Sequence, residues 1–210
     1  MRLVSPPMKN GLGKIVAGLL CALPLSACTS ISSNYSGEIT RTNTTRIIVC
    51  HGFDCSYKTP YHVSQQDWDR FAEIMAAGAH SPEAERAAVA AADMFYEERA
   101  VLAIGVRDEA KSDITQSRMR GQMDCIDEST NTRSLLLFLA KNDWLRYHKV
   151  EFNVSRGVFL DARYPHSTAV LKEIGTGRKW AVDSWYEATG GKPDIMPLEN
   201  WKTRGVMGQR

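Results

Sequence analysis

The sequence predicts an α+β domain, with helices in its first half and short strands in its second half. Two stretches, 65–78 and 82–102, begin with helix start signals and continue with helical spacing or Ala-rich sequence. A third helix, strongly apolar, is predicted to begin at Cys125. Short β-type runs then follow between residues 150 and 182. Helices followed by strands, rather than alternating with them, are typical of the α+β class.

The first 27 residues have the pattern of a secretory signal that ends in a lipobox. Basic residues precede the apolar run Ile15 to Leu25, which is shorter than the about 20 residues that cross a bilayer. Leu25-Ser26-Ala27-Cys28 resembles the lipobox of lipoproteins, which implies that Cys28 becomes the first mature residue and carries the lipid. The alternative is an ordinary cleaved signal with an incidental Cys28. Met8 offers a second possible start.

The charge of the chain changes when this signal is removed. The signal carries three of the 26 basic residues and none of the 24 acidic ones, so 23 basic residues remain against 24 acidic. A near-neutral chain without basic clusters predicts no nucleic-acid partner. The residue after Cys28 is Thr29, not Asp, which favours an anchor in the outer membrane, facing the periplasm.

The mature chain divides into a tether and one domain. Residues 28–44 are rich in Ser, Thr and Asn and are predicted to link the anchor to the folded part. Residues 45–210 are predicted to form a single domain, because their number is that of an ordinary domain. Its helical part spans about 64–103, and a second part, with the predicted third helix and the strands, spans about 118–201.

Two cysteines follow the strand-like Thr45 to Val49. If Cys125 must stay free to react, the natural disulfide joins Cys50 to Cys55, and an oxidising periplasm would maintain it. A zinc site using these cysteines with His51 and His62, or two buried thiols, are the alternatives.

Start signals define the two helices of the first half. Ser64 and Asp67 form a capping box, and Ser81-Pro82-Glu83 places Pro at the first position of the second helix. The two helices are expected to pack as a hairpin.

The helix that begins at Cys125 is the central element of the prediction. Asp124 can cap it, and Asp127 at the third position can reach back in the manner of a capping box. Leu135 to Ala140 are apolar on every face, which predicts a helix surrounded by protein. A helix N-terminus favours the thiolate, so we expect the pKa of Cys125 to lie below its ordinary value.

The second half is predicted to contain a hairpin that carries two further functional residues. Pairing of its strands through a Gly-rich turn would bring His166 and Asp183 together at the open end. The β-type runs are Val150 to Val154, Gly157 to Leu160, Ser167 to Ile174 and Lys179 to Val182, with the turn at Gly175 to Arg178.

Cys, His and Asp in this order resemble the papain-like cysteine hydrolases, and among them the transglutaminase-like bacterial thiol enzymes. The matching segments are Gln122 to Cys125, Pro165 to Leu171 and Trp180 to Trp185, within about residues 118 to 201. The resemblance implies a core in which a Cys-bearing helix packs on an antiparallel sheet. Only 41 positions separate Cys125 from His166, which suits the compact transglutaminase-like core.

The same resemblance implies a role for each site residue. Cys125 would be the nucleophile, His166 the base and Asp183 the group that orients the base. Gln122 would supply the oxyanion donor, although it lies three residues before the Cys, unlike the family pattern, and Trp185 would shield the His and Asp pair.

The function expected from these residues is thiol-dependent attack on amide bonds of peptides or proteins, peptidoglycan peptides among them, through a thioester. No metal or cofactor is expected, since an HExxH motif is lacking and a zinc-dependent hydrolase is correspondingly disfavoured. The alternative is a non-catalytic envelope lipoprotein that uses the same fold for binding or scaffolding. Asp161 is the alternative to Asp183 as the orienting carboxylate.

Overall fold

The computed structural model describes Met1, residues 43–157 and residues 165–204, and it shows the predicted α+β class with antiparallel strand pairing. Apart from Met1, the predicted signal at 1–27 lies outside the described residues, as do Cys28 and nearly all of the tether. The elements in chain order are β1 (Arg46–His51), β2 (Tyr57–His62), α1 (Gln65–Ala77), α2 (Pro82–Ile104), α3 (Cys125–Lys141), β3 (His148–Val150), β4 (Val154–Arg156), β5 (His166–Glu173), β6 (Lys179–Asp183), β7 (Asp194–Pro197) and α4 (Leu198–Thr203), with a 3-10 turn at Ile114–Gln116.

Helices α1 and α2 form the predicted hairpin. Ser64 accepts a hydrogen bond from the Asp67 N–H, and the Asp67 side chain accepts from the Ser64 N–H, so the capping box is present. Ser81 caps α2 with Pro82 at its first position. The two helices pack against each other, and Arg99 of α2 forms an ion pair with Asp67 at 2.9 Å.

The main sheet has the order β3-β5-β6-β7, with β4 also paired to β5. The predicted run at 150–154 is interrupted, because β3 ends at Val150 and β4 begins at Val154. The predicted run at 157–160 lies outside the described residues beyond Gly157. β5 and β6 form the predicted antiparallel hairpin, with Leu171 opposite Trp180.

Both faces of this sheet are covered. One face packs against α3 in the main core, and the other packs against Trp201 of α4. Side chains along a strand alternate between the two faces of the sheet. His166 lies on the same face as Val170, and Asp183 lies on the same face as Ala181. Both residues are therefore on the α4 side. The defining side chains are Ala169, Leu171 and Val182 on the α3 side, and Val170 and Ala181 on the α4 side.

Helix α3 is surrounded by protein, as its all-apolar stretch predicts. Leu135, Leu136 and Leu139 are completely buried. The helix packs against β5 on one side and β1 on another. No helix in the described ranges is both long enough and apolar enough to span a bilayer.

Candidate functional site

Cys125 is the first residue of α3, where the predicted cap is present. The Asp124 carboxylate accepts from the N–H groups of Ile126 and Asp127, at 3.1 and 2.8 Å. The Cys125 N–H is not among the groups that this carboxylate accepts from, and it favours the thiolate of its own residue. Cys125 is a free cysteine and is 9 % exposed.

The sulfur of Cys125 lies against the start of β5. Its Sγ is 3.8 Å from the Pro165 carbonyl oxygen, and the Ser167 N–H is near enough to favour the thiolate. Pro165 and Ser167 are the two neighbours of His166 in the chain. The fold therefore brings the first turn of α3 to the predicted base.

His166 and Asp183 lie side by side at the open end of the hairpin. His166 Nε2 is 2.7 Å from Asp183 Oδ2, and both residues are 3 % exposed. His166 Nδ1 is buried and has no hydrogen-bond partner within the described part of the chain. One ring nitrogen is thus held by the carboxylate, while the other remains for proton transfer.

Aromatic rings enclose the imidazole. The ring centroids of Trp185, Tyr186 and Trp201 lie 4.8, 5.4 and 5.6 Å from that of His166. Trp185 is 7 % exposed, and its ring is the nearest of the three to the imidazole. These rings exclude water from the His and Asp pair, which strengthens its electrostatic interactions.

Trp201 is a site residue that the sequence analysis missed. Its indole N–H donates to Asp183 Oδ2 at 2.7 Å, so this oxygen has two buried partners. The available signal was an aromatic residue with a polar N–H close to the end of the predicted core, since a buried indole N–H usually finds an acceptor.

Electrostatics around Cys125 oppose the expected lowering of its pKa. Burial, followed by the negative charge of Asp124, raises the pKa of the Cys125 thiol to about 12. The helix terminus and the Ser167 N–H favour the thiolate, but desolvation outweighs them. The resting sulfur is therefore a thiol unless a protonated His166 accompanies it.

The oxyanion role predicted for Gln122 receives no support from this geometry. Its amide nitrogen donates to the Arg107 carbonyl at 3.0 Å, and its oxygen accepts from Ser112 Oγ at 3.0 Å. Gln122 instead braces the loop before Cys125.

The predicted disulfide between Cys50 and Cys55 is present, with a Cα separation of 4.6 Å. Gly52, Phe53, Asp54 and Cys55 form a run of left-handed residues inside this short loop, with φ of 83°, 67°, 54° and 52°. Such a run is costly for residues other than Gly, so the loop needs external support.

Asp127 supplies that support, and its predicted capping-box contact is wrong. Its two oxygens accept from the N–H groups of Phe53 and Cys55, at 2.8 and 2.6 Å. The backbone N–H groups of the left-handed loop bind this carboxylate, whereas the local sequence predicts a contact with the start of its own helix. The disulfide loop is thereby attached to the first turn of α3.

The geometry also excludes the zinc alternative. His51 Nδ1 accepts from the Gly121 N–H, and its Nε2 bonds with Thr59 Oγ1. Burial lowers the pKa of His51 to about 4, which keeps the ring neutral as that acceptor role requires. Among the described residues, Cys50, Cys55 and Asp127 form the single group of possible metal ligands within 4.8 Å of one another, and the disulfide occupies both sulfurs.

Asp161, the alternative orienting carboxylate, lies outside the described residues, and Asp183 holds His166.

Comparison of the chain with protein-family models, with curated proteins and with solved structures produced no match.

Proposed function

We propose that this protein is a thiol-dependent acyl-transfer enzyme that attacks amide bonds of peptides or proteins. The observation that carries the proposal is the position of His166. Its Nε2 is bonded to Asp183, its Nδ1 is buried without a partner, and the Cys125 sulfur contacts the backbone on both sides of it. The Cys-bearing helix and antiparallel sheet are compatible with a papain- or transglutaminase-like core.

In the first half of the reaction, Cys125 Sγ attacks the carbonyl carbon while its proton moves to His166 Nδ1. The Asp183 carboxylate stabilises the resulting imidazolium through Nε2. Negative charge develops on the carbonyl oxygen, and the Cys125 N–H can donate to it. Collapse of this intermediate breaks the carbon–nitrogen bond, and His166 returns its proton to the leaving amine.

In the second half, the thioester is attacked by an acceptor whose proton passes to His166. Water gives a carboxylic acid and makes the protein a peptidase or amidase. An amine gives a new amide and makes it a transglutaminase. In both cases Cys125 recovers its proton, so no metal or cofactor takes part in the cycle.

The high pKa of the Cys125 thiol agrees with this scheme. A buried thiolate alone is unfavourable, whereas a thiolate formed together with the His166 imidazolium is a neutral pair overall. Proton transfer then accompanies attack on the substrate. The Ser167 N–H is already placed to stabilise the developing negative charge on sulfur.

Alkylation of the folded full-length protein by iodoacetamide tests the proposal. Peptide mapping should show labelling at Cys125, and His166→Ala should slow that labelling at least tenfold. His80→Ala is the matched control, because His80 is exposed at the turn between α1 and α2. Equal rates for wild type and His166→Ala would favour the alternative function, a non-catalytic envelope protein.

We further propose that Cys28 anchors the enzyme in the envelope, where peptidoglycan peptides and envelope proteins are available as substrates. Expressed with its own signal in a Gram-negative host, the protein should fractionate with membranes and incorporate labelled palmitate. Cys28→Ser should abolish the label. Unlabelled, soluble wild-type protein would contradict this assignment.

A further inference from the structure

Four carboxyl groups lie together beneath the candidate site, between α2 and α3. Asp93, Glu97, Asp108 and Glu128 line one small cavity, which has space for about one water molecule. Among the described residues that line it, none is Lys, Arg or His. Asp93, Asp108 and Glu128 are almost completely buried. Three such carboxylates without a counter-ion would be very unfavourable, so at least part of the group must be neutral.

The Asp108 and Glu128 carboxyl groups hydrogen-bond each other. Two carboxylates cannot form such a bond, because neither has a hydrogen to donate, so the pair contains a proton. Burial raises the pKa of Asp108 to about 9, which keeps this proton in place at neutral pH.

Each member of the pair also holds one side of the candidate site. Asp108 Oδ1 accepts from the Met123 N–H at 2.8 Å, two residues before Cys125. Glu128 Oε2 accepts from Ser184 Oγ at 2.6 Å, one residue after Asp183. The shared proton therefore joins the loop of the nucleophile to the strand end of the orienting carboxylate.

We propose that Asp108 and Glu128 are positioning residues, which act as a carboxylic acid–carboxylate pair that fixes the Cys125 loop relative to Asp183. The inference rests on the proposed function, in which these two segments must be held in register. It adds a requirement: Asp108 works in its protonated form, as a hydrogen-bond donor.

Geometry favours a proton over a metal ion at this position. Three oxygen ligands of one ion must approach one another closely, and no three of these carboxyl groups in the described structure bring oxygens within 4.8 Å of one another. The other groups that face the pair also oppose loss of its proton. They are Asp93, Tyr96 and Glu97 of α2, with Asp124 and Asp183 close to Glu128, and each is neutral or negative.

Asp108→Asn and Asp108→Ala separate the two parts of the proposal. Asparagine keeps an acceptor for Met123 and a neutral donor for Glu128, whereas alanine removes both. The first readout is the down-field proton resonance of His166 Nε2–H in its bond to Asp183, observed by NMR on the full-length protein. We expect Asp108→Asn to retain it and Asp108→Ala to lose or broaden it.

The pH dependence gives the second readout. In wild type, the resonance should weaken as pH rises through about 9, where Asp108 loses its proton, whereas Asp108→Asn should keep it. Asp69→Ala, which removes an exposed carboxyl of α1, is the control and should behave as wild type. If Asp108→Ala does not fold, this comparison of wild type with Asp108→Asn still decides the question.

Two results would overturn the inference. Loss of the resonance in Asp108→Asn at neutral pH would show that the charged carboxylate is needed. An unchanged resonance in Asp108→Ala would show that the pair positions nothing. Both results are separate from failure of the proposed function, since the resonance requires the His166–Asp183 bond and not reactivity at Cys125.

Discussion

Two buried donors of the candidate site converge on the Asp183 carboxylate. One of its oxygens accepts from both His166 Nε2 and Trp201 Nε1, each at 2.7 Å. A carboxylate can accept several hydrogen bonds, and bonds to a charged acceptor are among the strongest in proteins. The two donors together fix the direction of the carboxylate and, through it, the plane of the imidazole.

Asp183→Ala should therefore destabilise the protein as well as abolish the proposed activity. The substitution leaves two buried donors without an acceptor, at a cost of about 3 kcal/mol in the free energy of unfolding. Asp183→Asn retains one carbonyl acceptor and should cost roughly half as much. Urea unfolding of the two variants checks this order, and equal losses would contradict it.

At the residue scale, candidate site residues could be predicted from the sequence where residues of suitable chemistry also follow one another in a recognisable order. Cys125, His166 and Asp183 could be selected as candidates because a possible nucleophile, base and orienting carboxylate occur in a meaningful order. Trp201 was missed and Asp127 was given the wrong partner. Asp127 bonds with residues 72 and 74 positions away, a distance at which local patterns carry no information.

At the scale of elements, helix boundaries were well predicted because their causes are local. Ser64, Ser81 and Asp124 cap the three long helices as expected. The strand at 150–154 was less well predicted, because pairing with β5 determines where β3 and β4 begin and end. Strand ends depend on partners that lie elsewhere in the chain.

The disulfide should stabilise the β1–β2 end of the fold. Replacing Cys50 and Cys55 with Ser removes a cross-link across a short loop, whose entropic effect is about 2 kcal/mol. The free energy of unfolding should fall by that amount, measured against wild type under oxidising conditions. Under reducing conditions the two proteins should become similar in stability, and a persistent difference would contradict the cross-link explanation.

At the scale of the whole molecule, the buried carboxyl groups make stability dependent on pH. Burial raises the pKa of Asp93 to about 8 and that of Asp108 to about 9, whereas both are near 4 in an unfolded chain. The contribution of these two groups to the free energy of unfolding is fully present below about pH 4. It is lost as pH rises towards these folded values, since folding then requires uptake of protons.

Asp108→Asn isolates this effect, because Asn cannot ionise. The difference in unfolding free energy between Asp108→Asn and wild type should increase in favour of the variant from about pH 4 to about pH 9. The slope should approach about 1.4 kcal/mol per pH unit at most. Denaturation curves across this range supply the measurement, and a difference that is independent of pH would contradict a proton on Asp108.

The left-handed loop between Cys50 and Cys55 has a consequence for the timing of maturation. The left-handed conformation of Phe53, Asp54 and Cys55 costs about 1–2 kcal/mol for each residue. The Cys50–Cys55 disulfide and the hydrogen bonds to Asp127 together hold the loop in this conformation. In the reducing cytosol the disulfide is absent, so Asp127 alone must restrain the loop beside the nucleophile. Under the proposed function and export, a precursor delayed in the cytosol is expected to carry an unfinished candidate site. Oxidation outside the cytosol would complete the site, so the proposed activity would begin only after export.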